Sequence, residues 1–432
     1  MSKTSAHVAV IGAGAAGLVT ADELLREGHA VTVFEAGSAV GGTWVYTTET
    51  EADWLGRTPS RRYLGSMYDS LRTNLPRNLM SFDNYPFDSR GGGHDSWPRF
   101  PGHAEVLEYL QRFADERHLL EHIRFNTRVE LVTRSGSGWR VDDAPFDAVA
   151  VCNGHFSEPD VPEIEGAASF PGFALHSHSY RSPELLAEQC GSLADKTILL
   201  FGVGPSGIDL SRELAKHAKS VYLCGDRFKD ADPPEQQETY IKVMGSVTRI
   251  DGSTVHCGPN AVDRVDVLIY CTGYRYHFPF LPMQRVEDGW VHGLYQQLTM
   301  IHTPSLAFIG LCFRLIPFPF FQRQARWFAR LLAGRFELPH EAERRRSHDE
   351  EIAGLRAEGV RPKHTHAFSQ DGCVDYLNRL ARQCGDTAIP DVFVSTWAQH
   401  FRNVMRNPGG YRKADDGDAN EFLWPSLEGP TA

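Results

Sequence analysis

The 432-residue chain predicts an α/β fold with two parallel-sheet domains, and three observations carry that expectation. An apolar run, a glycine-rich turn and a helix-patterned segment follow one another at residues 7–26. The same succession returns at residues 196–218. Two buried-strand patterns, at 146–155 and 265–274, each close on a glycine. Strands alternating with helices through short glycine turns build parallel sheets with helices on their faces.

The first unit opens with the strand HVAVIG at 7–12, turns through GAGAAG at 12–17, and enters a helix that directs Leu18, Leu24 and Leu25 toward a sheet; the strand AVTVFE at 30–35 follows Gly28. Gly12, Gly14 and Gly17 have separate duties in a Rossmann-like turn: a tight bend, close approach of backbone to a pyrophosphate, and close packing of helix on strand. Ala13, Ala15 and Ala16 complete the motif. A phosphate then lies at a helix N-terminus, where free N–H groups and the dipole favour negative charge. Glu35 ends the second strand, placed to accept from ribose hydroxyls.

Residues 41–98, with GGTW and YDSLRTNLPRNLMSF, are polar, aromatic-rich and irregular, the kind of long loop that is commonly functional. A helix is expected over 103–117, antiparallel strands over 123–143, and a buried strand in FDAVAVCNGH. GVGPSG then repeats the turn with Gly202, Gly204 and Gly207, and Ser206, Ile208 and Asp209 fall in the first turn of its helix. The position equivalent to Glu35 is Gly225, so no carboxylate opposes a 2′-phosphate there, and Arg227 lies two residues on. NADPH is therefore favoured over NADH, with the neighbouring Asp226 pulling the other way. Beyond residue 285 come a strand (SLAFIGL), an aromatic and proline-rich stretch (IPFPFFQRQARWFARLL), an acidic-basic helix whose Arg344 to Arg346 form a solvated face, and a polar tail.

Composition narrows the function. With 44 Lys+Arg against 55 Asp+Glu, a net charge of −11 and no dense basic run, a nucleic-acid partner is not expected. The eight cysteines include no CxxC and no zinc-like spacing, which suits packing roles and a reducing, cytoplasmic location, with no metal site. Glycines break the N-terminal apolar run, and no uninterrupted apolar span of about 20 residues follows, so neither a signal peptide nor a membrane anchor is expected. Two dinucleotide sites imply electron transfer. A disulfide reductase would need a nearby cysteine pair, whereas a monooxygenase needs no protein nucleophile, because reduced flavin and oxygen supply the oxidant.

At this point the chain resembles the class B flavin monooxygenases. The likeness rests on both glycine motifs, on YDSLRTNLPRNLMSF, on CTGY at 271–274, and on FPGFALHSHSY, which matches FxGxxxHxxxY through Phe170, Gly172, His176 and Tyr180. Baeyer–Villiger enzymes characteristically have Trp followed by Pro or Asp at the end of that motif, where this chain has Tyr180 and Arg181, so it resembles a flavin-containing monooxygenase proper. VCNGHFSEPDVP, CTGYRYHFPFL and IPFPFFQ are similar to the plant S-oxygenase branch. The likeness runs over about residues 7–330 and is looser beyond, and the polar ending GDANEFLWPSLEGPTA suits a soluble enzyme.

The resemblance implies a discontinuous FAD-binding domain, 1–165 and 284–432, interrupted by an NADPH-binding domain, 166–283. It implies that NADPH reduces FAD, that oxygen adds at flavin C4a, and that the resulting hydroperoxide, shielded by NADP+, meets a sulfide or amine substrate. Gly12 to Gly17, Glu35, Gly42, Thr43, Trp44, Asn74 and Leu75 would contact FAD; Thr73, Asn74 and Ser206 to Asp209 would contact NADP. Asn74 would stand nearest the chemistry, since a neutral amide hydrogen-bonds without offering an acidic proton. His176 and Tyr180 would be structural. His277, Phe318, Phe320 and Phe321 would line a substrate passage or sit in the core. N-hydroxylation, Baeyer–Villiger oxidation, uncoupled NADPH oxidation to peroxide and a non-catalytic binding protein stay open as alternatives, as does a homo-oligomeric state.

Overall fold

The computed structural model describes residues 5–58, 65–83, 85–226, 236–238, 241–407 and 410–412. They form two compact units: Met1–Val45, Arg72–Gly154 and Tyr276–Ala432 make the first, and Tyr46–Leu71 with His155–Arg275 the second. Both contain the parallel sheet and glycine turn that the sequence predicts.

In the first unit the strand His7–Ile11 pairs in parallel with Ala30–Phe34 on one side and Ala148–Val151 on the other, and Ile123–Arg124 and Leu306–Phe308 extend the sheet in the same sense. Short antiparallel strands, Thr299–Met300 and Leu294–Tyr295, finish one edge. Strand side chains alternate between faces. Val8 and Val10 therefore enter one core with Leu18, Val31 and Val33, while Ala9 and Ile11 enter another with Val149 and Val151. The expected antiparallel segment is a three-stranded sheet of Val132–Ser135, Gly138–Val141 and Ala144–Phe146.

The proline- and phenylalanine-rich stretch is a helix, Pro317–Leu332, packed against the helix Ala15–Arg26. Pro317 occupies the first turn, where a missing N–H costs nothing. Phe318 and Phe320 are core residues and Phe321 is partly buried against the same core, while His277 is exposed. The same helix buries Arg326, which bonds Glu23 at 2.8 and 3.0 Å, Asp83 at 2.9 Å and Asp386 at 2.8 Å.

The polar tail holds the helices Gln370–Cys384 and Asp391–Arg406, the first burying Cys373, Tyr376, Leu377, Leu380, Ala381 and Cys384 at three- and four-residue spacing. One expectation needs correction: Arg344 is not on a solvated face. It is buried and donates twice to the Ile301 carbonyl, at 3.0 and 2.8 Å, which a long side chain can do while its neighbours Arg345 and Arg346 stay exposed. Among the described residues no helix is long and apolar enough to cross a membrane.

The second unit repeats the plan. Thr197–Phe201 lies between Ser220–Cys224 and Val267–Tyr270, with Ile241–Met244 and Phe173–His176 outside them, all parallel; Gln236–Glu238 is an antiparallel edge. A meander, Val247–Asp251, Thr254–Cys257 and Asn260–Val262, completes it.

Candidate dinucleotide-binding sites

The turn of the first unit is fixed by contacts that only glycine permits. Gly12 has φ +105°, and a Cβ there would lie 2.6 Å from the Cys152 carbonyl oxygen; a Cβ on Gly17 would lie 1.8 Å from the Gly12 oxygen. These two residues hold helix, strand and turn together. Gly14 and Gly42 face one another so closely that a Cβ on Gly42 would come within 2.9 Å of the Gly14 Cα, which leaves a surface of bare backbone. The helix Ala15–Arg26 begins there with no side-chain cap and no acidic residue in its first turn, so its leading N–H groups are open to an anion.

Three further observations fit a dinucleotide at this turn. Glu35 accepts from Ala13 N–H and Gly37 N–H at 2.7 Å each, one on each carboxylate oxygen, and each oxygen keeps lone-pair capacity for a ribose hydroxyl. The Thr43 hydroxyl is buried with no hydrogen-bond partner among the described residues, a costly state that a ligand atom would relieve. Trp44 is half-buried and meets Phe318 edge-on at 6.5 Å, which sets its ring on the wall of the core.

The second turn reproduces the first. Gly202 has φ +122° with the Cys271 oxygen 2.1 Å from a would-be Cβ, and a Cβ on Gly207 would lie 1.9 Å from the Gly202 oxygen. A Cβ on Gly204 would meet nothing within 4 Å among the described residues beyond its own chain neighbours and helix backbone, so the middle glycine borders open space. The helix Pro205–Leu214 likewise has neither a side-chain cap nor an acidic residue in its first turn. Asp209 therefore lies one turn further in than its sequence position suggested, and it accepts from the Tyr68 hydroxyl at 3.2 Å. Arg227 lies outside the described residues. Cys152 and Cys271 occupy equivalent places under the two turns, and burial pushes each thiol up to about 12, so both stay neutral packing groups.

In the loop Arg72–Leu75, Thr73 is buried, its hydroxyl donating to the Leu75 carbonyl at 2.7 Å and its N–H to the Pro101 carbonyl at 2.8 Å. Asn74 is exposed and its side chain makes no hydrogen bond among the described residues. Leu75 packs partly buried on the core. Arg412 donates to the Thr73 and Arg72 carbonyls at 2.9 and 3.1 Å, a contact with no signal in the sequence.

The FxGxxxHxxxY segment is interior. His176 and Tyr180 are buried, and the Tyr180 hydroxyl bonds Glu213 at 2.8 Å, with burial and the Glu213 charge raising its pKa. Arg181 is buried with no carboxylate partner among the described residues, donating to the carbonyls of Thr47, His178, Tyr180, Glu49 and Gly65. Burial lowers its pKa, but five carbonyl dipoles replace the lost water. It borders a cavity of about 300 Å³ with Trp54, Leu175, Tyr180, Leu186 and Gln189. None of the residues expected to contact a cofactor is among those that line it.

Comparison with known proteins gives a consistent picture. The family model described as "Flavin-binding monooxygenase-like" matches residues 5–229 and 227–397. A flavin-containing monooxygenase from Arabidopsis thaliana, FMO GS-OX-like 4, is 41% identical over 405 residues, 88% of either chain. The solved S-allyl-L-cysteine S-oxygenase from Allium sativum is 36% identical with a TM-score of 0.88, covering 96% of both chains. OTEMO, solved in complex with FAD and NADP, is 16% identical with a TM-score of 0.56 over 82% of this chain and 91% of its own, and shares the fold alone.

Proposed function

The chain belongs to the flavin-binding monooxygenase-like family and is a flavin monooxygenase, and from that premise we propose that it uses FAD, NADPH and O2 to oxygenate the sulfur of a thioether. Amine nitrogen is the second acceptor class in this reading. The observation that carries the sulfur preference is the 36% identity and near-complete coverage shared with the garlic S-oxygenase. Arg181, standing where Baeyer–Villiger enzymes have Pro or Asp, supports the same choice.

In this reading FAD lies on the first turn. Gly12, Ala13, Gly14, Ala15, Ala16 and Gly17 give backbone N–H groups and a helix terminus to its pyrophosphate. Glu35 holds the ribose, Thr43 turns its unpartnered hydroxyl to the cofactor, and Gly42, Trp44 and Leu75 shape the surface around it. NADPH takes the second turn, with Gly202, Gly204, Ser206, Gly207, Ile208 and Asp209 along its phosphates and Arg227 assigned from sequence to the 2′-phosphate. Thr73 and Asn74 serve the nicotinamide side. The flavin-binding part is assigned to residues 1–165 and 284–432 and the NADPH part to 166–283; the compact units differ from these bounds at 46–71, 155–165 and 276–283.

When bound and reduced by NADPH, the flavin activates oxygen. This chain contributes binding, orientation and the neutral amide of Asn74, which donates and accepts without supplying an acidic proton. A cytoplasmic enzyme acting on a freely diffusing sulfide is the corresponding setting. The test is product analysis with a panel of thioethers, tertiary amines and ketones. Sulfoxide as the main product supports the proposal, lactone or ester would replace it with Baeyer–Villiger oxidation, and hydrogen peroxide alone would leave an NADPH oxidase.

A further inference from the structure

We propose that Arg412 is a positioning residue that aims Asn74, an inference that rests on the reading of Asn74 as the residue nearest the chemistry. Asn74 is exposed and makes no side-chain hydrogen bond among the described residues, so its backbone is what sets the point from which the amide reaches out. The Thr73–Asn74 peptide is planar, and holding the Thr73 carbonyl therefore fixes the Asn74 N–H and the line along which its Cα departs. Arg412 Nε donates to that carbonyl at 2.9 Å, and Nη2 holds the preceding Arg72 carbonyl at 3.1 Å. Two successive peptide planes are thus pinned by one planar guanidinium.

The clamp is itself anchored. The Arg412 guanidinium lies 5.2 Å from the Tyr411 ring centroid, and buried Tyr411 meets Phe100 edge-on at 5.5 Å. The Phe100 carbonyl in turn accepts from the Arg72 guanidinium at 3.0 and 2.8 Å, and Thr73 N–H reaches the Pro101 carbonyl. Loop, residues 100–101 and residues 411–412 close a ring of contacts on Arg72 and Thr73, next to Asn74, within the first unit. A group aimed in this way loses much of its effect when it is misplaced by about 1 Å.

The test uses the full-length, FAD-loaded protein as wild type, Asn74→Ala, Arg412→Gln, Arg412→Lys and the Asn74→Ala/Arg412→Gln double variant. Two quantities are read: hydrogen peroxide released per NADPH consumed in the presence of methyl p-tolyl sulfide, and backbone amide exchange over residues 72–76. Release balances as NADPH, H+ and O2 giving NADP+ and H2O2. Arg412→Gln is expected to raise peroxide release about tenfold and to speed exchange at Thr73, whose N–H the Pro101 carbonyl holds. Arg412→Lys should fall between it and wild type, and the double variant should be no worse than Asn74→Ala. Normal coupling in Asn74→Ala would remove the reading of Asn74 itself. An effect in Asn74→Ala with wild-type coupling and exchange in Arg412→Gln, or additive effects in the double variant, would overturn the role of Arg412 alone. Arg412→Lys keeps the comparison readable if Arg412→Gln fails to fold.

Discussion

At Gly204 and Gly207 the same residue type does two kinds of work, and substitution separates them. Gly207→Ala forces a Cβ to 1.9 Å from the Gly202 oxygen and is expected to prevent correct folding, whereas Gly204→Ala meets nothing within 4 Å and its φ of −74° suits alanine. Gly204→Ala should therefore keep the wild-type melting temperature while binding NADP+ more weakly, measured by titration calorimetry. At Glu35, Glu35→Ala removes the acceptor for two backbone N–H groups. With charged hydrogen bonds contributing about 1.5–3 kcal/mol, FAD retention should fall roughly tenfold to a hundredfold, read by flavin release on dilution. These positions were legible because their steric duties are tied to spacing. Arg412 was not: its partners lie 339 and 340 residues away, and an arginine in a polar tail carries no local signal.

Among the elements, the helix Pro317–Leu332 carries the heaviest electrostatic demand. Burial alone would raise the Glu23 carboxyl, but the Arg326 charge and its hydrogen bonds, with that of Gln322, hold it below its ordinary value; Asp386 is lowered in the same way by Arg326 and Arg323. Replacing Arg326 with Met would take the buried cation from Glu23 and Asp83 and leave Asp386 with Arg323 alone, and is expected to cost about 3–5 kcal/mol, measured by urea unfolding. Because the folded pKa values are depressed, this stabilisation is full above the ordinary carboxylate values near 4.5 and 3.8 and is lost as pH falls through the lowered folded ones. Wild type should accordingly lose stability more steeply than Arg326→Met below about pH 4.5, starting from a higher value. The strand and turn elements could be read from apolar runs ending on glycine. This helix was harder, because Gln322, Arg323 and Arg326 are buried polar residues that blur the apolar stripe. The helices Gln370–Cys384 and Asp391–Arg406 did carry a three- and four-residue apolar period that a reading by polarity passed over.

For the whole molecule, the repetition of one glycine turn in two units was visible at once, since close packing leaves only glycine at the same places twice. What the chemistry acts on was not visible. Substrate recognition depends on surfaces assembled from distant segments, and no spacing rule encodes them. The cofactor preference belongs to this scale too: with Gly225 in place of an acidic residue, kcat/KM for NADPH should exceed that for NADH, measured by steady-state NAD(P)H oxidation. The most direct test of the central claim is turnover of methyl p-tolyl sulfide under 18O2 with NADPH, followed by mass spectrometry of the product. The account predicts sulfoxide carrying one 18O atom, formed in step with NADPH consumed. Stoichiometric hydrogen peroxide with no labelled sulfoxide would contradict it.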